Sequence, residues 1–290
     1  MTATRKSAKK RPPWLQHLWR MLLLLLLCTL SLQLFWLLRI GMMRVVDPQS
    51  TSFQRSEAWR LLVQTQRLSW RQEWVDMSQI GDSLQRAVIA SEDAGFVEHS
   101  GVEWDAIENA WERNRIAEAR ADRRAAQLER QQQREMKRQQ QREQARRQSG
   151  TQGPSVGKAS TAARPAAARL VGGSTISQQL AKNLFLSGER TPLRKAQELV
   201  ITLALEATLP KERILEIYLN NVEWGEGLFG AQAAAQHYFR SDAAKLAPWQ
   251  AARLAVMLPA PKRFEKNPGS AYLQGRTATL AARMGDVVLP

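Results

Sequence analysis

The pattern of apolar and polar positions predicts a chain built mainly from α-helices. Residues 21–38 read MLLLLLLCTLSLQLFWLL and contain no charged side chain, so they predict one long apolar helix. Further along, apolar or small residues recur three and four positions apart, which is the spacing of one helix face. These positions are Leu84, Ala87, Val88 and Ser91; Leu193, Ala196, Leu199, Val200, Leu203 and Ala204; and Ile214, Leu215, Tyr218 and Leu219. No segment shows a convincing strand-type alternation, so we expect a mainly α fold.

Residue types at the ends of these segments predict where the helices begin and end. Thr191 and Pro192 are typical of an N-cap and a first helical residue, and Pro210 of the boundary with the next helix. The helix that contains Leu84 should end at Glu92, where a carboxylate faces the negative end of the helix dipole. A capping role therefore explains Glu92 poorly, and this position would tend to raise the pKa of its carboxyl group.

The apolar run 21–38 is just long enough to cross about 30 Å of hydrocarbon as a helix. A cleaved signal peptide is the alternative, but its apolar region would be shorter and no Ala-x-Ala site follows here. We therefore expect an uncleaved transmembrane anchor. The flanking cations are Arg5, Lys6, Lys9, Lys10, Arg11 and Arg20 before the run, and Arg39 and Arg44 after it. This asymmetry predicts that residues 1–20 form a cytoplasmic basic tail and that the rest of the chain lies outside.

Three tryptophans near the run (Trp14, Trp19 and Trp36) match an aromatic belt at the membrane interface. Residues 39–80 predict a membrane-proximal region, where Trp59, Trp70 and Trp74 either pack in a core or dip into the membrane. Residues 81–290 predict one domain, interrupted by a basic Gln/Arg/Ala-rich insertion at 113–168 that has too few apolar residues for a core. The insertion could contact anionic headgroups or be inert, and both interpretations stay open.

The composition narrows the class of partner. The net charge of +15 over 290 residues indicates an anionic partner, which could be nucleic acid, membrane lipid or a phosphorylated substrate. A domain outside the membrane does not meet the nucleoid, and much of the charge lies in the tail and the insertion, so we expect no nucleic acid partner. The single Cys28 excludes an intrachain disulfide, and His17, His99 and His237 lack metal-ligand spacing.

Three polar stretches carry candidate chemistry. EDAGFVEHSG begins at Glu92, and GGSTISQQLAKN places Gln178, Gln179 and Lys182 on one face of a helix start. RTPLRKAQE places Arg194 and Lys195 within helical reach of Glu198. Taken singly, these are also an ordinary capped helix and ordinary surface pairs. Together they favour glycosyl transfer from a phosphate-linked donor, with a carboxylate base and cations for the leaving group.

These stretches resemble the motifs of the peptidoglycan glycosyltransferases. EDAGFVEHSG matches E-D-x-x-F-x-x-H-x-G, GGSTISQQLAKN matches G-G-S-T-I-x-Q-Q-x-x-K-N, and RKAQE matches R-K-x-x-E. The segment KERILEIYLNNVEWGEGLFGAQAAAQHYF, residues 211–239, resembles the K-x-x-I-L-E-x-Y-L-N segment that follows in that family. No K-T-G motif of the transpeptidase domain occurs, so we expect a monofunctional enzyme.

The resemblance implies a lysozyme-like, mainly α fold with a large lobe and a small membrane-facing jaw. Its substrates would be lipid II and the growing glycan strand, joined by an inverting β-1,4 transfer that releases undecaprenyl pyrophosphate. Glu92 matches the general base and Glu198 the second acid, beside which Arg194 and Lys195, or a divalent cation (Mg²⁺ or Mn²⁺), would meet the pyrophosphate. The remaining matched substrate-site positions are Asp93, Phe96, His99, Ser174, Thr175, Gln178, Gln179, Lys182 and Asn183.

The resemblance also implies a setting. The enzyme would be a single-pass protein of the bacterial inner membrane with a periplasmic catalytic domain, no organic cofactor, and membrane lipids and cell-wall synthesis or division proteins as partners. Two alternatives belong to other classes of protein. A lytic transglycosylase cleaves glycan and needs no pyrophosphate site, and a membrane-anchored scaffold would need none of the motif acids.

Overall fold

The computed structural model describes residues 13–66, 69–104, 174–186, 188–189 and 191–290, with a few single positions between 108 and 138. Contacts divide the chain into two compact units, Met1–Val102 with Ser174–Pro290, and Glu103–Gly173. The first twelve residues of the basic tail, and nearly all of the 113–168 insertion, lie outside the described residues.

The first unit is built from α-helices, which confirms the expected fold class. In chain order they are α1 (Pro13–Met42), α2 (Ser52–Thr65), α3 (Asp82–Glu92), α4 (Ile176–Phe185), α5 (Pro192–Thr208), α6 (Lys211–Asn221), α7 (Ala231–Phe239), α8 (Pro248–Met257), α9 (Pro261–Glu265) and α10 (Ala271–Arg283). Short 3₁₀ turns occupy Met77–Gln79, Ala243–Lys245 and Met284–Asp286. The predicted boundaries of α5 are confirmed, since Thr191 is its N-cap and Pro192 its first residue.

A small three-stranded sheet accompanies the helices. Its strands are β1 (Arg71–Gln72), β2 (Glu223–Gly225) and β3 (Leu228–Phe229), and β3 lies between the other two, parallel to β1 and antiparallel to β2. Strands of two or three residues cannot display an alternating pattern, which is why the sequence showed no sign of them.

The core confirms two of the three predicted apolar faces. Leu84, Ala87 and Val88 on α3 are fully buried, as are the four stripe residues of α6, which are Ile214, Leu215, Tyr218 and Leu219. Helix α3 packs against α8 and α10, and α4 packs against α2, α5 and α6. The motif-bearing helices α3 and α4 are thus both fixed by buried faces.

The third predicted face, on α5, does not point into the core. Leu193 is 79 % exposed, and Val200 and Leu203 are nearly half exposed, whereas Ile201 and Leu205 are fully buried. The helix carries apolar residues on two faces, and the core takes the one that also holds Glu198. The predicted stripe is therefore an exposed apolar surface.

Helix α1 is the only helix in the described part of the chain that is long and apolar enough to cross a membrane. Most of its length is exposed, but near its C-terminal end the ring of Trp36 lies 4.9 Å from that of Phe185 on α4. Trp14 and Trp19 remain exposed, as an aromatic belt requires.

The tryptophans of the membrane-proximal region divide between the two interpretations offered for them. Trp70 stacks on Phe229 at 4.5 Å, and Trp74 is partly buried against the core, so these two have a packing role. Trp59 on α2 is 68 % exposed and remains available to a membrane.

Candidate active site

Glu92 is the last residue of α3, as the periodicity predicted. Its Oε2 accepts a hydrogen bond from Gln179 Nε2 at 2.9 Å, and its Oε1 lies 3.4 Å from the Ser91 hydroxyl. Burial raises the pKa of the Glu92 carboxyl, which the hydrogen bonds from Gln179 and Ser91 oppose, while the charge of Asp93 adds to the rise. The pKa moves in the expected direction, but burial rather than the helix dipole is the main cause.

Three hydrogen bonds fix the orientation of the Gln179 side chain. Its Nε2 donates to Glu92 and to the Ser174 carbonyl at 3.1 Å, and its Oε1 accepts from the Tyr218 hydroxyl at 3.0 Å. Tyr218 is buried, and burial raises the pKa of its phenol well above the usual range, so it stays a protonated donor. A chain of donors thus runs from Tyr218 through Gln179 to Glu92.

The helical spacing of α6 indicates only a core position for Tyr218 and no contact with the site. A signal was present, because a tyrosine in a buried, otherwise aliphatic stripe needs a partner for its hydroxyl group. The identity of that partner could not be inferred, since Gln179 lies 39 positions away on another helix.

Asp93 joins the end of α3 to the start of α4. Its Oδ2 accepts from the backbone N–H of Ile176 at 2.9 Å, and its Oδ1 lies 2.8 Å from His99 Nε2. The other ring nitrogen of His99, Nδ1, accepts from the Gly101 amide at 3.0 Å. Both nitrogens of His99 are therefore engaged, which gives this side chain a structural position.

Phe96 lies beneath the loop that carries His99. It is fully buried, and the Lys211 Nζ sits 4.5 Å from the centre of its ring. The same ammonium group donates to the His99 carbonyl at 2.6 Å and pairs with Glu206 at 2.9 Å. Phe96 thus supports the loop from inside the core.

Gly101 closes this loop in a conformation that favours glycine. Its φ is +85°, and an added Cβ would lie 2.8 Å from side-chain atoms of Thr202 and Glu206. This explains in physical terms why the EDAGFVEHSG stretch ends in glycine.

The start of α4 is closed by a capping box. Thr175 is the N-cap and accepts from the backbone N–H of Gln178, and its own hydroxyl donates to the Gly101 carbonyl at 2.7 Å. Gln178 Oε1 lies within hydrogen-bond distance of the Thr175 amide (3.3 Å) and the Ser174 hydroxyl (3.2 Å). The two adjacent glutamines therefore differ, since Gln178 is buried in the cap while Gln179 contacts Glu92. Asn183, further along α4, is partly buried.

A second acid, Glu198, is buried on α5 between two cations. Arg194 Nη1 donates to its Oε2 at 2.9 Å, and Lys195 Nζ pairs with its Oε1. The Nε of Arg194 is buried and has no hydrogen-bond partner among the described residues. A buried donor of this kind is costly unless a ligand or water accepts from it.

Lys182 on α4 connects the two acids electrostatically. Lys182 is exposed to solvent, but partial desolvation by its neighbours lowers its pKa, as do the charges of Arg194 and Lys195, while Glu198 and Glu92 act in the opposite direction. The three cations outnumber Glu198, so this cluster carries a net positive charge. Such a cluster can stabilise an anionic leaving group while a carboxylate acts as the base.

The Glu198 cluster gives a divalent cation no free carboxylate oxygen. Both oxygens already accept from Arg194 and Lys195, and Lys182 adds a third positive charge nearby. Mg²⁺ and Mn²⁺ bind through oxygen ligands. The described residues around Glu198 therefore do not fit a resident metal ion.

Comparison with known proteins places this geometry in a family. The transglycosylase family model matches residues 60–152 and 146–285. The chain is 42 % identical over 292 residues to the biosynthetic peptidoglycan transglycosylase of Paraburkholderia xenovorans (strain LB400), with the full length of both chains covered. It is 46 % identical over 262 residues to the protein of the same name from Burkholderia pseudomallei (strain K96243), covering 90 % of this chain and 83 % of that one.

Proposed function

This chain belongs to the transglycosylase family and is a glycosyltransferase of peptidoglycan synthesis, and from that premise we propose how its residues divide the reaction. The fold is accordingly lysozyme-like and mainly α. The substrates are lipid II and the growing glycan strand. The strand is the donor, lipid II is the acceptor, and each transfer releases undecaprenyl pyrophosphate.

Glu92 is the general base in this proposal. Its carboxylate takes the proton from the acceptor 4-hydroxyl as that oxygen attacks the anomeric carbon of the donor. The new β-1,4 bond forms as the bond from the anomeric carbon to the pyrophosphate oxygen breaks, with inversion. The raised pKa of Glu92 suits this role, because a base is most effective when its pKa lies near the operating pH. Gln179 and Tyr218 hold the carboxylate in place.

Arg194, Lys195 and Lys182 receive the pyrophosphate in this proposal. The buried, unpartnered Nε of Arg194 supplies a donor, and Glu198 holds the guanidinium group so that it presents this donor. Arginine binds phosphate oxygens in a fixed geometry. The Lys195 side chain is 59 % exposed, so its ammonium group can change position and pair with the charge of the pyrophosphate. The observation that carries the proposal is the buried Nε of Arg194, which has no hydrogen-bond partner among the described residues although the same guanidinium group is held by Glu198.

The other matched positions support these groups. Asp93, Thr175 and Gln178 close the junction of α3 and α4, and Phe96 and His99 support the loop behind it. Ser174 contacts both glutamines, through its hydroxyl and its carbonyl. Asn183 stays a predicted substrate contact.

We test this division of roles by following glycan polymer formation from purified lipid II with detergent-solubilised full-length protein. Wild type should form polymer, and Glu92→Gln should form none while keeping its thermal stability. Polymer from both proteins would remove Glu92 from its role. No polymer from folded wild type would favour the scaffold alternative or a required partner protein.

The metal expectation has its own test. Because the Glu198 cluster does not fit a resident cation, a stimulating metal would bind through the pyrophosphate of the substrate. Calorimetric titration of substrate-free protein with Mn²⁺ should show no site that Glu198→Gln removes. A site lost in that variant would restore the resident-metal interpretation.

The proposed setting is the bacterial inner membrane. Helix α1 crosses it once, with the N-terminus in the cytoplasm and the catalytic unit in the periplasm, as the flanking cations predict. The exposed apolar residues of α5 and Trp59 on α2 are suited to membrane lipids. A protease-accessibility assay on sealed inverted vesicles should cleave the basic tail and spare the catalytic unit.

A further inference from the structure

A polar residue interrupts the apolar run of α1 close to its outer end. Gln33 lies five residues before Leu38, the last position of the charge-free run, so its Cα is about 7.5 Å inside that end along the helix axis. Its side-chain amide is hydrogen-bonded to a residue of another helix, Gln197 on α5. Gln33 Nε2 donates to Gln197 Oε1 at 3.0 Å, and Gln197 Nε2 donates back to Gln33 Oε1 at 3.3 Å.

The position of this amide pair within the apolar run makes its hydrogen bonds important for stability. In hydrocarbon, an amide without a partner is costly, and here each amide supplies both the donor and the acceptor that the other needs. Thr29, one turn earlier on α1, satisfies its hydroxyl within its own helix by donating to the Leu25 carbonyl. Gln33 is instead satisfied by the catalytic unit.

The docking of α1 continues from Gln33 towards its C-terminal end. Trp36 packs against Phe185, the Arg39 guanidinium lies 5.2 Å from the centre of the same ring, and Ile40 is fully buried. The last turns of α1 are therefore fixed to α4 and α5, rather than serving as a loose tether.

Gln197 is also the residue immediately before Glu198 on α5. Leu193 and Val200, four positions before and three after it, are on the exposed apolar surface of this helix. An element that sets the depth of Gln197 therefore also sets the depth of the Glu198 cluster relative to the apolar run.

We propose that Gln33 and Gln197 are positioning residues: their reciprocal amide pair fixes α5 to the membrane helix and holds Arg194 and Lys195 at the depth of a lipid-linked pyrophosphate. This inference rests on the proposed function. It makes α1 a part of the donor site, since the pyrophosphate of a membrane lipid lies at a fixed height and its cations must meet it there.

The docking itself is tested without any activity measurement. In a Cys28→Ser background, Gln33→Cys and Gln197→Cys should be joined by a short bis-methanethiosulfonate cross-linker in native membranes, as detected by mass spectrometry of the linked peptides. The control keeps the natural Cys28 with Gln197→Cys, because residue 28 lies about 7.5 Å further along α1 and about 140° around it. Equal linking in both proteins, or none in either, would overturn the proposal.

The positioning role is tested by kinetics on lipid II in liposomes. Gln33→Leu and Gln197→Leu each leave one amide unpaired, so each should raise KM about tenfold with kcat within about twofold, and the double variant should recover most of the loss because neither amide remains. Ser31→Leu, an exposed position on the same helix, is the matched control and should match wild type.

A second readout separates positioning from a structural role. Across liposomes of increasing acyl-chain length, wild type should show a sharp optimum that Gln33→Leu broadens. Unchanged KM together with an unchanged optimum would overturn the positioning role even if cross-linking succeeds. Because all comparisons are made relative to active wild type, failure of the proposed function shows up separately, as wild type without polymer.

Discussion

The hydrogen bond from Gln179 to Glu92 allows a quantitative test of the base. Gln179→Met keeps the side-chain length but removes the N–H that stabilises the Glu92 carboxylate. Burial already raises the pKa of Glu92, and Gln179 opposes that rise, so its loss should raise the pKa further. The deprotonated base then forms only at higher pH.

The size of the effect follows from the type of bond. A hydrogen bond to a charged group contributes about 1.5–3 kcal/mol, and Glu92 is only partly buried, so water can replace part of it. We therefore take the lower limit, which corresponds to about a tenfold change in the protonation equilibrium. On the acidic limb of the pH profile, where activity follows the fraction of deprotonated base, the rate should fall about tenfold. At alkaline pH it should approach the wild-type rate.

The assay is kcat/KM for lipid II polymerisation across the pH range in which the protein stays folded, since this parameter reports the free enzyme. Gln178→Met is the matched control, because the neighbouring glutamine closes the helix cap and does not contact Glu92. It should lower the melting temperature without moving the acidic limb. A pH-independent loss in Gln179→Met, or the same shift in both variants, would refute the reasoning.

Three further predictions concern stability and the insertion. Asp93→Asn should lower the free energy of unfolding by about 1–3 kcal/mol in denaturant titrations, because one of the two donors that contact the carboxylate, Ile176 N–H or His99 Nε2–H, would face an amide N–H₂ group. Burial raises the pKa of Glu223 from 4.5 to about 7, so wild-type stability should fall as pH rises across that interval, and Glu223→Gln should make this fall smaller in pH-dependent thermal unfolding, leaving the part that Glu92 contributes. Deleting residues 113–168 should leave polymerisation and liposome binding unchanged if the insertion is inert, whereas reduced liposome binding would favour headgroup contact.

The sequence predicted the helices well, because their apolar faces repeat over many residues. It placed the end of α3 at Glu92 and the N-cap of α5 at Thr191, and both boundaries are in the structure. It misjudged α5, whose apolar residues occupy two faces, because periodicity alone does not tell which face the core covers. Leu193 thus points outward, while Ile201 is fully buried.

In the candidate site, too, the sequence identifies the motif residues but not the side chains that they contact. Gln178 and Gln179 share a motif and one region of a helix, yet one is buried in a cap and the other contacts Glu92. Their difference depends on Tyr218 and on the loop at Gly101, which are distant in sequence. Side-chain partners across such separations follow from packing, which a local pattern does not encode.

The hydrogen bond between Asp93 and the Ile176 amide also provides a way to observe local opening of the site. The backbone amide of Ile176 is held by Asp93, and this bond lies between the helix of the base and the helix of the glutamine that holds it. That proton can exchange with solvent deuterium only when the junction opens. Its exchange rate would therefore report how often α3, which carries Glu92, and α4, which carries Gln179, separate. Slower exchange in the presence of substrate would show that ligand binding stabilises the contact between α3 and α4.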